Sequence, residues 1–193
     1  KTYASKYPET YKKLKTYLSP KSINFEKVLS NLLNANLSSG RDMSGFILNE
    51  ISKTFTSLVG GAADVAASTK AVIKDSEFYS SENRTGRNIH FGIREHSMGS
   101  ISNGIALYLK QPVFDSTFMV FSNHMLPSIR MRAMMNLPVL SIFTHDSINI
   151  GQDGPTHQPI ESLTTLRSIP NYYVFRPATP AEVVAGYKVF FDT

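Results

Sequence analysis

The 193-residue chain is 41% hydrophobic and 18% charged, which excludes a disordered polyelectrolyte and leaves room for one domain with a substantial core. It has no cysteine, so disulfides and thiolate chemistry are excluded. The net charge of +5 resides in residues 1–22, where six lysines meet one acid, Glu9, and the balanced remainder argues against a basic nucleic-acid-binding face.

Residues 1–22 read as a solvated basic linker segment and residues 23–193 as the domain proper. No run is apolar enough to span a bilayer, and the Lys-rich start lacks the apolar centre of a signal peptide. The expected location is therefore the cytoplasm, with no membrane partner. Because the chain opens on Lys1 rather than Met, it is expected to be part of a longer protein.

In chain order, FEKVLSNLLNANL and RDMSGFILNEISKTF carry apolar residues at helical spacing. SLVGGAADV then reads as a short buried strand, and the polar KAVIKDSEFYSSENRTG as a surface loop. NIHFGI is a second strand, EHSMGSISNGIALYL a helix of small residues, and VFDSTFMVF a third strand. A helix follows around MLPSIRMRAMM, where Pro127 is tolerated in the first turn. LPVLSIFTHDS is the clearest strand, followed by the turn-rich INIGQDGPTHQP, helix IESLTTLRSI, strand YYVFRP and helix PAEVVAGYKVFF. Strands alternating with helices predict an α/β domain, a mostly parallel sheet with helices on both faces.

In open parallel sheets, ligands bind beyond the carboxyl ends of the strands. Asp64 follows the first predicted strand, Glu95 the second, Ser122, Asn123 and His124 the third, and His145 and Asp146 the fourth. The segment THDSINIGQDGPTHQP adds Asp153 and His157. Its Gly-Pro break disfavours a metal site, and no metal-ligand set is expected in this chain. GQDGP also suits a turn on backbone grounds alone. Two neutral imidazoles and a carboxylate can nevertheless grip the hydroxyls of a polyol.

GGAAD ends a strand and matches neither a phosphate loop nor a dinucleotide fingerprint. Phe118 and Phe121, three apart in an alternating strand, are expected on opposite faces, one in the core and one free to stack on a flat ring. Glu95 is the unusual residue. A carboxyl withdrawn from water without a partner favours its neutral form, and Arg94, its sequence neighbour, does not face it along a helix. Such a group beside a nitrogen heterocycle can exchange a proton with it.

Taken together, NIHFGIREHSMGSISNGIAL, STFMVFS, LSIFTHDSINIGQDGPTHQPIESLTTLRSIPN and FRPATPAEV resemble the central, pyrimidine-binding (Pyr) domain of transketolases. The resemblance runs from about Ser39 to the end. It implies transfer of a two-carbon ketol unit from a ketose phosphate to an aldose phosphate in the pentose phosphate pathway, with thiamine diphosphate as cofactor. Glu95 matches the glutamate that hydrogen-bonds the aminopyrimidine ring and so helps to activate the cofactor. Phe118 and Phe121 match the aromatic wall, with Phe121 as stacking partner, and Asp64 an aspartate near the cofactor and the subunit junction. His145 and His157 match substrate-contacting histidines, His157 also being assigned to catalysis, and Asp153 reads a sugar hydroxyl. Arg41 and Ser68 fall where the family grips the sugar phosphate.

Two positions depart from the family pattern. His124 replaces the usual tyrosine of the aromatic motif, as a further cofactor contact, and Gln152 replaces the glutamate of GEDGP. No GDG followed at a distance by Asn is present, so the diphosphate and its Mg2+ or other divalent ion are expected on an absent diphosphate-binding domain. The C-terminal domain is likewise expected to be absent. The resemblance implies a homodimer and an isolated chain that does not turn over. The alternatives are a thiamine diphosphate synthase of the deoxyxylulose-phosphate type and a non-catalytic transketolase-like interaction module.

Overall fold

The computed structural model describes residues 2–19 and 22–192. Positions 1, 20, 21 and 193, at the edges of the expected basic segment and domain, lie outside the described residues. The basic segment forms α1 (Tyr3–Lys6) and α2 (Pro8–Leu18), neither of which contributes a buried residue. Pro8 opens α2, where its missing N–H costs nothing.

Two capped helices follow. In α3 (Phe25–Asn34) the Asn24 side chain accepts from the Lys27 N–H at 2.9 Å, and in α4 (Gly40–Thr54) the Ser39 hydroxyl accepts from the Asp42 N–H at 3.2 Å. Then come β1 (Val59–Ala62), α5 (Ala66–Thr69), β2 (Asn88–His90) and α6 (Glu95–Leu109). β3 (Val113–Phe118) continues into a 3-10 helix, Met119–Met125, and α7 (Leu126–Met134). β4 (Val139–Thr144), α8 (Ser162–Arg167) and α9 (Pro180–Asp192) complete the chain.

The four strands form one parallel sheet in the order β2-β1-β3-β4. One face is covered by α3, α4 and α9, whose Leu32, Ile47, Ile51 and Val184 pack with Phe114 and Ile142. The other face carries α6, α7 and α8, with Met98, Ile129 and Leu166 beside Ile89 and Phe143. Ile142 and Phe143, adjacent in β4, serve opposite faces because strand side chains alternate. The α/β architecture with helices on both faces is thus present.

Three expected strands differ, each for a local reason. β2 stops at His90, level with the end of its neighbour β1 at Ala62, and Gly92 then turns the chain with φ +68°. β3 stops at Phe118, which pairs with Thr144, the last residue of β4. Beyond that level no ladder partner remains, so the backbone satisfies itself through short-range bonds as a 3-10 helix. YYVFRP forms no strand: Tyr172 and Val174 turn into the second core cluster, and Arg176 pairs with Asp146 at 2.7 Å. The polar middle segment is a loop, but Ala71 and Ile73 anchor it in the core. There the Asn88 side chain accepts from the Ile73 N–H and donates to the Ile73 and Ser76 carbonyls.

Candidate functional site

The carboxyl edge of the sheet gathers most of the predicted residues. Glu95 is the first residue of α6 and only 7% exposed. Arg94 folds back to donate to the Phe91 carbonyl at 3.1 Å and leaves Glu95 to others. The partner it finds is His124, whose Nδ1 lies 3.5 Å from a Glu95 carboxylate oxygen. Glu95 is therefore buried but not isolated.

The 3-10 helix corrects the expected placement of the two phenylalanines. With three residues per turn, side chains at i and i+3 eclipse, so Phe118, Phe121 and His124 fall on one face instead of opposite faces. Phe118 and Phe121 stack with centroids 5.9 Å apart and planes at 16°, and Phe121 and His124 stack at 5.7 Å and 25°. The departure at His124 thus keeps a flat ring at the outer rung and adds a nitrogen facing Glu95. Phe118 is buried and anchors the ladder, whereas Phe121 is half-buried and able to offer surface.

The histidines of THDSINIGQDGPTHQP close on the same ladder. His145 lies 3.8 Å from Phe118, ring to ring, and His157 meets the edge of Phe121 at 5.2 Å. His145 takes a left-handed φ of 54°, a sparsely populated conformation for a side-chain-bearing residue, and its Nδ1 lies 2.8 Å from the Thr144 hydroxyl. Burial pushes His145 below the ordinary imidazole range, the Arg41 guanidinium and His157 push the same way, and Asp153 and Asp146 oppose them. It is a neutral imidazole at neutral pH, able both to donate and to accept. Asp153 is exposed on the loop, and so is Gln152.

Arg41, in the first turn of α4, reaches across to the Ser68 carbonyl at 3.4 Å. The two expected phosphate-gripping residues are neighbours, although Ser68 contributes its backbone. Asp64 is exposed just past β1 at φ 65° and carries none of the ring contacts. Among the described residues no group of three or more His, Asp or Glu could hold a metal ion, and no helix is long and apolar enough to cross a membrane.

Two features escaped the sequence reading. A cavity of about 640 Å3 runs along the outer edge of β4, lined by Arg41 and His145 at one end and by Tyr172, Phe175, Tyr187 and Phe190 further on. Segment 172–177 and α9 form its other wall. The other feature is a buried ion pair, Arg132 with Asp115 at 2.6 Å, beneath the ladder. Its signal was an acid within VFDSTF, a strand buried along its whole length, and two arginines in the short helix LPSIRMRAM, of which Arg132 is the buried one.

The donor set suits a flat nitrogen heterocycle. A largely buried carboxylate can accept from a ring N–H, and half-buried Phe121 can stack on it. Beyond the ladder lie the neutral imidazole of His145, the His157 ring, the Asp153 carboxylate and the Arg41 guanidinium.

Residues 38–191 match the family described as "Transketolase, pyrimidine binding domain". The chain is 47% identical over 153 residues to the transketolase of Halalkalibacterium halodurans, covering 79% of this chain and 23% of that protein. A transketolase structure from Pichia stipitis in complex with sedoheptulose-7-phosphate superposes with TM-score 0.84 at 33% identity, covering 99% of this chain and 29% of that one. A structure described as a split-gene transketolase, an inactive beta4 tetramer, aligns with TM-score 0.59 at 26% identity over 80% of this chain and 48% of that one. The chain spans less than a third of the length of the curated relatives it matches. The matched region contains Glu95, the aromatic ladder and both histidines, and on that ground the chain belongs to the transketolase pyrimidine-binding domain family.

Proposed function

We propose that this chain is the Pyr domain of a transketolase and supplies the pyrimidine half of a thiamine diphosphate site. The activity is transfer of a two-carbon ketol unit from a ketose phosphate to an aldose phosphate, as in the pentose phosphate pathway. The observation that carries the reading is Glu95, 7% exposed at a helix start and flanked by the aromatic ladder through His124. Thiamine diphosphate, when bound, supplies a nucleophilic carbon for carbonyl chemistry. Glu95 holds and returns a proton at a ring nitrogen. Phe121 stacks on the pyrimidine above Phe118, and His124 closes its rim. Asp64 lies towards the cofactor and subunit junction.

On the substrate side, neutral His145 hydrogen-bonds a sugar oxygen, and His157 contacts the reacting end and serves in proton exchange. Asp153 reads a hydroxyl, and Arg41 with the Ser68 backbone grips the phosphate. The diphosphate and its divalent ion belong to a diphosphate-binding domain outside residues 23–193, the active unit is a homodimer in the cytoplasm, and residues 1–22 link the two domains. Exposed Ile101, Leu107, Tyr108, Met131 and Met134 on α6 and α7 support burial against further protein. The isolated chain is expected to be inactive, a reading supported by the inactive tetramer of the split-gene relative.

The test is a ketol-transfer assay on the chain assembled with its diphosphate-binding half. Xylulose 5-phosphate serves as donor and ribose 5-phosphate as acceptor, with thiamine diphosphate and magnesium, beside Glu95→Ala. Activity lost in the variant is expected. A bound cofactor without ketol transfer would shift the assignment to another synthase, and no cofactor binding would leave an interaction module.

A further inference from the structure

Arg132 lies at 2% exposure and Asp115 at 0%, well inside the domain. A guanidinium has five N–H donors in a fixed fork, and here each meets an acceptor. Nε donates to the Asn103 side-chain oxygen at 3.0 Å. Nη1 donates to the Ser141 hydroxyl at 2.6 Å and to one Asp115 oxygen at 3.3 Å. Nη2 donates to the other Asp115 oxygen at 2.6 Å and to the Gly99 carbonyl at 3.3 Å.

A buried ion pair is not in itself a stabilising device, because desolvation offsets its attraction and apolar residues of similar volume commonly do as well. What distinguishes this one is where its acceptors lie. Asp115 is in β3, which ends at Phe118, and Ser141 is its register partner in β4, which leads into His145. Gly99 and Asn103 are in α6, which begins at Glu95, and Arg132 itself is in α7, which continues the 3-10 helix of Phe121 and His124. One side chain thus ties α6, β3 and β4 to α7, the helix that continues directly from the 3-10 segment of the ladder.

The helix contact beside it has no slack. A Cβ added at Gly99 would stand 2.2 Å from the Ser128 hydroxyl oxygen, and Asn103 donates to the Ser128 carbonyl at 2.8 Å. Gly99 lies one turn beyond Glu95, and Ser128 one turn beyond His124. The two helices therefore meet at fixed spacing immediately below Glu95 and His124.

We infer that Arg132, clamped by Asp115 and Asn103, is a positioning residue that sets the separation between Glu95 and the Phe121–His124 wall. This rests on the pyrimidine-site reading above. It touches no ligand and acts through the first turn of α6.

The experiment compares wild type, Asn103→Ala and the double variant Asp115→Leu/Arg132→Met, each assembled with the diphosphate-binding half. Thermal melting establishes folding, and thiamine diphosphate with magnesium is the probe. The expected result is a cooperative melt in both variants, with cofactor affinity lowered roughly tenfold to a hundredfold and the ellipticity of the bound ring diminished. Without cofactor, the Met98 and Gly99 amides exchange roughly tenfold faster, while those of Leu48 and Ile51 do not. A folded Asn103→Ala protein with wild-type affinity, ellipticity and exchange overturns the proposal, and this uncharged variant decides alone if the double variant does not fold. If wild type itself does not bind thiamine diphosphate, the proposed function fails, and the exchange comparison still decides whether the clamp sets the first turn of α6.

Discussion

His124 Nδ1 stands 3.5 Å from a carboxylate oxygen of Glu95, with the imidazole side chain 63% exposed and the carboxylate 8%. The histidine is therefore the outer rim of a site whose inner wall is the acid. Its two attributes, a flat ring and a nitrogen, are separable. His124→Phe keeps the ring and is expected to bind thiamine diphosphate nearly as wild type does. His124→Ala removes the last rung and is expected to lose about 1 kcal/mol, roughly fivefold in affinity. Titration calorimetry on both variants checks this, and equal losses would show that the nitrogen matters more than the ring.

Phe118 and Phe121 are stacked but unequally buried, so their truncations should separate fold from binding. Phe118→Ala removes a buried side chain and is expected to cost about 3–5 kcal/mol of folding stability. Phe121→Ala is expected to cost far less in denaturant unfolding and to weaken cofactor binding by about 1 kcal/mol or more. The pair of measurements fails if Phe121→Ala unfolds at lower denaturant than Phe118→Ala.

His145 has a depressed pKa, chiefly from burial and then from Arg41. The unfolded chain therefore takes up this proton before the folded one does. Its contribution to stability is complete above the unfolded value of about 6.5 and is lost as pH falls through the lower folded value. Arg41→Ala removes a repelling cation and is expected to raise the His145 pKa, whereas Asp153→Asn removes an attracting anion and is expected to lower it. An NMR titration of the His145 ring reads both signs, and no movement in Arg41→Ala would contradict the assignment.

Gly99→Ala drives a methyl group into Ser128, so it is expected to destabilise by about 1–3 kcal/mol through overpacking. Gly104 lies one turn and a residue further along α6, where an added Cβ meets nothing within 4 Å. Gly104→Ala is expected instead to stabilise by up to about 1 kcal/mol through helix propensity. Urea unfolding of the two variants should move in opposite directions.

Much of this arrangement was legible in the sequence. EHSMGSISNGIALYL became α6 with both predicted ends, since its small residues, first-turn acid and sharp stop before Lys110 all agree. The clustering of Glu95, His124, His145 and His157 followed from placing polar residues at strand ends, a rule that needs only approximate boundaries. What the sequence concealed depended on partner length. Nothing in VFDSTFMVF says that its neighbours end at Ala62 and Thr144, and that ending converts the last residues from a strand into a 3-10 turn. YYVFRP has the aromatic and β-branched composition of a strand, yet Tyr172 and Val174 pack in the second core, Arg176 pairs with Asp146, and the segment joins no strand. Arg132 was overlooked for a different reason: its acceptors are spread over three other elements, α6, β3 and β4, and no spacing along one element reveals them.

The 3-10 segment fixes how this wall can change during evolution. Each residue advances the chain by a third of a turn, so Phe118, Phe121 and His124 share a face only while the steps between them remain multiples of three. Inserting or deleting one residue between them would swing the outer ring about 120° away from Glu95. A different flat ring at a rung keeps the face intact, whereas a change in the length of the segment does not.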